Sequence, residues 1–176
     1  MLVAAYQFAM NKHDQAKQTR EDLSTPYWVH PFRVAERLRA VGIEDYEVLV
    51  AAILHDVVED TETSLDAIEA QLGKRVSRIV ADVSQGSKQS IGDYHAQIQN
   101  SPSDSQSVKL ADKWDNVNEL RRMKYATYGK RPPLDYVRDA EDTLAACIDG
   151  NSQLQEFLRL EINKAKNEFN NPNSSK

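Results

Sequence analysis

Four side chains in this sequence could together hold a metal ion: His30, His55, Asp56 and Asp112. Two imidazoles and two carboxylates make a mixed N/O donor set. Such a set suits Mn²⁺, Fe²⁺ or Zn²⁺ better than Ca²⁺, which takes oxygen ligands. An ion with positions left over for water binds a phosphate oxygen and supplies hydroxide near neutral pH. Each residue also has a plainer use. A histidine beside a proline, as His30 is beside Pro31, often caps a helix or sits in a core. Asp112 alone would suit a helix surface. The His55-Asp56 pair is harder to set aside. It follows the apolar run Val48-Leu49-Val50-Ala51-Ala52-Ile53-Leu54. Its backbone is therefore expected to be buried, where a charge must be paired or metal-bound.

Glu59 and Asp60 follow one helical turn after His55 and Asp56, so a continued helix stacks the four titratable groups on one end. A solvated acidic helix end is the plainer alternative. It opposes the helix dipole, and a nearby cation removes that conflict. Asn116 lies four residues after Asp112 and Lys109 three before it, which puts all three on one stripe.

The elements that must carry these groups read as helices. Leu2, Tyr6, Ala9 and Met10 mark a first helix. Pro31 can occupy a first turn, and the helix through Phe32, Val34, Ala35 and Leu38 stops near Gly42. Asp45 and Glu47 suit the start of a central helix that is apolar on every side, and so buried, and that runs on through His55. A buried strand is the alternative, disfavoured because no β–α alternation follows. Thr63 or Ser64 can cap a helix through Leu65, Ile68, Leu72, Val76, Ile79 and Val83. Ser84–Asp104, with Gly86, Gly92 and Pro102, reads as a long loop with one helical turn near Tyr94. Helical period returns over Val108–Met123, Asp135–Ile148 and Ser152–Phe169. The sum is an all-α single domain over residues 1–166, with room for a short hairpin, and a flexible tail over residues 167–176.

Composition narrows the function classes. The chain has 176 residues, 40% hydrophobic and 28% charged, which fits one globular domain. With 6 Gly and 6 Pro, a large sandwich or barrel is not expected. The net charge of −5 argues against nucleic acid as a partner. No apolar run reaches the roughly 20 residues of a membrane span, so no membrane partner is expected. The single Cys147 rules out an internal disulfide and favours a reducing, cytoplasmic setting.

Three segments carry a resemblance. Tyr27-Trp28-Val29-His30-Pro31-Phe32-Arg33-Val34-Ala35, Leu54-His55-Asp56-Val57-Val58-Glu59-Asp60-Thr61 and Lys109-Leu110-Ala111-Asp112-Lys113-Trp114-Asp115-Asn116 resemble the motifs of the HD-domain hydrolases. Within these they are similar to the hydrolase part of the RelA/SpoT alarmone enzymes, from about His13 to Phe157. The chain has no room for a synthetase or regulatory domains, and so looks like the small stand-alone alarmone hydrolases.

The resemblance implies a compact HD-domain fold in which His30, His55, Asp56 and Asp112 hold one Mn²⁺. Glu59 and Asp60 would position and activate the attacking water. Asn116 would contact the nucleotide, and Tyr136 matches a tyrosine lining its site. The implied reaction removes the 3′-pyrophosphate of ppGpp, giving GDP and pyrophosphate. The family's basic pair before its Tyr-x-x-His-Pro motif is only partly present, with Lys17 and Arg20 the available cations, and Lys88 stands for a phosphate-binding lysine. Lys109, Lys113, Arg121 and Arg122 are further cations for a polyanionic substrate. Asp115 stands where the family has His or Tyr, and Asn118 where it often has Arg. The alternatives are hydrolysis of ppApp or of the NADPH 2′-phosphate, or a nucleotide-binding module without turnover. The oligomeric state stays open, a dimer being one option.

Overall fold

The computed structural model describes residues 2–20, 24–123 and 131–170. The regular elements of the described residues are all α-helices. In order the helices are α1 (Leu2–Gln15), α2 (Val29–Ala40), α3 (Tyr46–Leu54), α4 (Val57–Asp60), α5 (Leu65–Leu72), α6 (Lys74–Val83), α7 (Ile91–Gln99), α8 (Ser103–Met123), α9 (Pro133–Ala146) and α10 (Ser152–Asn170). Among the described residues, the only β pairing is an isolated antiparallel bridge between Thr19 and Pro26, and no strand is formed.

Two helices form the centre. Every residue of α3 from Val48 to Leu54 is buried, as its unbroken apolar run requires. Asp45 caps it, its carboxylate accepting the Glu47 N–H at 3.0 Å. α3 packs against α1, α2, α6 and α8. α8 is the second central element and packs against α2, α6, α9 and α10. It is buried for a different reason. Val108, Leu110, Ala111, Val117 and Leu120 lie in the core, but so do Lys109, Asp112, Asp115 and Glu119. Each fully buried aliphatic side chain contributes about 1.5–3 kcal/mol. That gain allows α8 to keep charges inside, provided each finds a partner.

The helix boundaries depart from the sequence expectation in four places. The expected helix from Ser64 to Val83 is two, because Gly73 takes a φ of +97°, a left-handed value that breaks α5 from α6. Ser64 rather than Thr63 caps α5, accepting the Ala67 N–H at 3.2 Å. The expected loop over Ser84–Asp104 contains α7, started by Ser90, whose hydroxyl accepts the Asp93 N–H at 3.1 Å. The central helix does not continue through His55: it stops at Leu54, and α4 is a separate single turn. At the C-terminus α10 runs on to Asn170, into the segment expected as tail, and residues 171–176 lie outside the described residues. Cys147 is fully buried, as a small core residue. No helix of the described chain is long and apolar enough to cross a membrane.

Candidate metal centre

The break between α3 and α4 builds half of the site. A helix leaves its last four carbonyls without intrahelical partners. His55, just past the end of α3, lies with Nδ1 2.8 Å from the carbonyl oxygen of Ala52. A carbonyl only accepts, so Nδ1 carries a proton and Nε2 is the nitrogen turned toward the carboxylates. That Nε2 is buried and has no hydrogen-bond partner. Asp56 follows directly, its Oδ2 3.1 Å from His55 Nε2. The Tyr27 hydroxyl donates to the same Asp56 oxygen at 2.7 Å.

The other half comes from α2 and α8. His30 is in the first turn of α2 and is 1% exposed. Its Nε2 lies 3.1 Å from Asp112 Oδ1 and 3.6 Å from Asp56 Oδ2. Its Nδ1 faces Asp115 Oδ2 at 2.8 Å. His55 Nε2 is 3.6 Å from Asp112 Oδ1. Ligand atoms of His30, His55 and Asp112 all fall within 4.8 Å of one another, with Asp56 alongside. The structure therefore brings His30, His55 and Asp112 together, with Asp56 beside the two histidines.

The electrostatics suit a bound cation. Burial disfavours a charged His55, yet Asp56 and Asp112 outweigh it and lift the imidazole to about 10. Burial opposes the charge of Asp112 as well. Lys109, His30 and His55 overcome it and hold the carboxyl well below the usual range. Asp56 is likewise lowered, burial being outweighed by His55 and His30. Two ionised carboxylates thus face two imidazole nitrogens. The donor set fits a divalent transition-metal ion: a cation here would take the place of the proton that Asp56 and Asp112 hold on His55, and each histidine has its far nitrogen engaged, the usual arrangement of metal-bound imidazoles.

Beside this cluster lies a cavity of about 330 Å³, lined among others by Arg20, Glu59, Lys109, Lys113, Asn116 and Tyr136. Arg131 lines it too, its guanidinium 4.9 Å from the Tyr136 ring centre. Lys109 is buried, its Nζ 2.8 Å from Asp112 Oδ2. Asn116 donates to Asp112 Oδ1 at 2.6 Å and accepts from Arg20 at 2.9 Å. Arg20 also donates to Glu119 at 2.8 Å through Nε.

Glu59 keeps solvent access at the cavity edge, where it accepts the Gln85 N–H at 2.8 Å. Partial desolvation still raises its carboxyl. Asp60 borders an adjoining hollow with Glu59 and Lys12. Burial first, and the Asp56 charge second, raise it to about 6. Although the helix is broken, Asp60 keeps its one-turn relation to Asp56, its N–H bonding the Asp56 carbonyl at 2.9 Å.

The remaining expected cations are elsewhere. Lys17, in a left-handed conformation with φ 53°, and Lys88 are both exposed and are not among the residues lining the cavity. Arg121 pairs with Glu161 and Glu168 on α10, and Arg122 is exposed. Asn118 donates to Glu161 at 3.0 Å, also away from the cavity lining.

Sequence reasoning gave no role to Tyr27, Arg33, Arg37, Glu119 or Arg131. Spacing held a usable signal for the arginines: Arg33 and Arg37 lie three and seven residues after His30, on its helical stripe. Asp115 lies three after Asp112 in the same way.

With this geometry, residues 5–128 match the family described as HD domain. The chain is 35% identical over 163 residues to the guanosine-3′,5′-bis(diphosphate) 3′-pyrophosphohydrolase MESH1 of Mus musculus, covering 90% of each chain. Identity and coverage are the same for the protein of that name from Homo sapiens. A solved structure described as a metazoan ortholog of SpoT that hydrolyzes ppGpp aligns with a TM-score of 0.81 and 28% identity. The alignment covers 93% of this chain and 94% of that one.

Proposed function

We propose, on the premise that this chain belongs to the HD-domain family and to its MESH1-type branch, that it hydrolyses the 3′-pyrophosphate of ppGpp to GDP and pyrophosphate. One Mn²⁺ would be held by His30, His55, Asp56 and Asp112. The observation that carries this reading is the convergence of two imidazole Nε2 atoms with two ionised carboxylates beside a cation-lined cavity. The mixed donor set favours Mn²⁺ over Ca²⁺.

When bound, the ion supplies Lewis acidity, polarising a phosphate oxygen and lowering the pKa of water. The chain's own residues do the rest. Glu59, at the cavity edge with a raised carboxyl, accepts the proton of the attacking water. Asp60, one turn beyond Asp56, holds that water in line or takes the proton onward. General-base assistance of this kind is worth about 10²–10⁴ in rate. Arg20, Lys109 and Lys113 place positive charge along the cavity for a polyanion. The field at a site follows local arrangement, so the net charge of −5 is no obstacle. Tyr136 offers a ring for the nucleoside, and Asn116 an amide.

The test is to incubate the protein with ppGpp, ppApp and NADPH, each with Mn²⁺ and after exhaustive chelation, and to identify products. The expected result is GDP and intact pyrophosphate from ppGpp, abolished by chelation and restored best by Mn²⁺. Orthophosphate as the main product, or full activity in metal-free protein, would overturn it.

A further inference from the structure

The two histidines of the centre are held in different ways. His55 gives its Nδ1 proton to a neutral carbonyl of its own helix. His30 faces a carboxylate, Asp115, which is 1% exposed. That carboxylate is itself gripped from the same side of α2. Arg33 Nε lies 3.0 Å and 2.9 Å from its two oxygens. Arg37 reaches Oδ1 through Nε at 3.0 Å and through its terminal nitrogen at 2.8 Å. Arg37 is fixed in turn by stacking 4.1 Å from the Trp114 ring centre.

Charge balance separates two uses of Asp115. As a purely structural anion it is already met by two guanidiniums, Arg37 and an Arg33 shared with Glu119, so its charge does not depend on His30. His30 nonetheless directs Nδ1 at it, which leaves Nε2 facing Asp112 and Asp56. An ionised acceptor on Nδ1 fixes that tautomer and makes Nε2 a stronger donor. The arginines have a second effect. Donors on both oxygens also fix the carboxylate in place, so it stays on Nδ1 rather than turning toward the ligand atoms.

We propose that Asp115, clamped by Arg33 and Arg37, is a positioning residue of the metal centre: it binds no ion itself but fixes His30 and so strengthens metal binding through Nε2. This rests on the reading of His30, His55, Asp56 and Asp112 as a metal site. It does not depend on which nucleotide is the substrate.

The experiment is a Mn²⁺ titration by competition with a chelating indicator, on wild-type protein, Asp115→Asn and the paired variant Asp115→Asn/Arg37→Gln. The paired variant removes one charge of each sign, so it keeps the test available if the single variant does not fold. Circular dichroism of the metal-free forms selects folded samples. Folded variants should bind Mn²⁺ about 10–100-fold more weakly, the usual cost of losing such a partner. Loading with Co²⁺ adds a readout that a merely structural role would not move: the visible absorption bands should shift in the variants. Wild-type affinity with an unchanged Co²⁺ spectrum in a folded variant would overturn the inference alone. Failure of the wild-type protein to bind any divalent ion would overturn the metal reading and this inference with it.

Discussion

The hydroxyl of Tyr27 lies 2.7 Å from Asp56 Oδ2, the oxygen that faces both His30 and His55. Burial, and then the negative charge of Asp56, push the phenol well above its ordinary pKa. It therefore stays protonated and acts as a donor. Its effect is to occupy one lone pair of Asp56 and aim the other. Tyr27→Phe keeps the ring, which packs on His13 with ring centres 4.8 Å apart, and removes only the donor. Metal affinity is expected to fall about tenfold, with the fold intact. Competition titration against an indicator measures it. An unchanged affinity would mean that Asp56 is oriented by the backbone turn alone.

Glu59→Gln removes a proton acceptor while keeping the amide able to meet the Gln85 N–H, now 2.8 Å from the carboxylate. The expected result is a kcat lower by about 10²–10⁴, with metal content and KM near wild type. If the carboxylate were only a solvated helix-end charge, the change would stay within about threefold, as surface substitutions are nearly neutral. Steady-state kinetics with metal analysis on the same sample separates the two.

The site was legible in the sequence where chemistry and periodicity coincide. His55-Asp56 directly follows an apolar run too long to be exposed, so its burial, and with it the need for a partner, could be read without coordinates. His30 and Asp112 could be nominated by residue type and joined to the pair by the motif resemblance, but nothing in their local sequence says that residues 82 positions apart lie 3.1 Å apart. The role of Asp115 was hidden for the same reason: its partners are on another helix, and alone it reads as one more charge among many. The helix breaks were missed for a backbone reason. Periodicity runs smoothly across Gly73, and only its left-handed φ, unseen in a hydrophobic pattern, divides α5 from α6. Ser90 similarly turned an expected loop into α7 through one cap.

Asn116 and Tyr136 line the same cavity, but the structure separates what their loss should do. Asn116 donates to Asp112 at 2.6 Å, so it touches a proposed ligand as well as the cavity. Asn116→Ala should raise KM and also weaken metal binding severalfold, an effect of the order of one lost hydrogen bond to a charged group. Tyr136→Ala should raise KM with metal affinity unchanged. A Tyr136 variant that loses metal would show that its ring supports the centre rather than the substrate.

The last prediction concerns pH and the metal-free protein. Asp60 is raised to about 6 by burial and by the neighbouring Asp56 charge. In the unfolded chain an aspartate titrates near 3.9. Between about pH 4 and 6 the folded state therefore holds a proton that the unfolded state has released. Stability falls as pH rises through that window, and the loss is complete above the folded value. Asp56, Asp112 and Asp115 are all lowered, so their contributions are lost only at more acidic pH. His55, raised to about 10, acts in a window above about pH 6.5. Glu59 is raised as well and shares part of the Asp60 window, so it must be measured beside it. Asp60→Asn removes the Asp60 contribution without removing the side-chain volume. Urea unfolding of the chelated protein from about pH 4 to 6.5 should show the variant gaining on wild type as pH rises. Glu59→Gln should recover a smaller part of the same slope, because Glu59 keeps solvent access. Parallel curves for wild type and Asp60→Asn would mean that Asp60 is solvated at this pH, and that it reaches the site as an ordinary carboxylate.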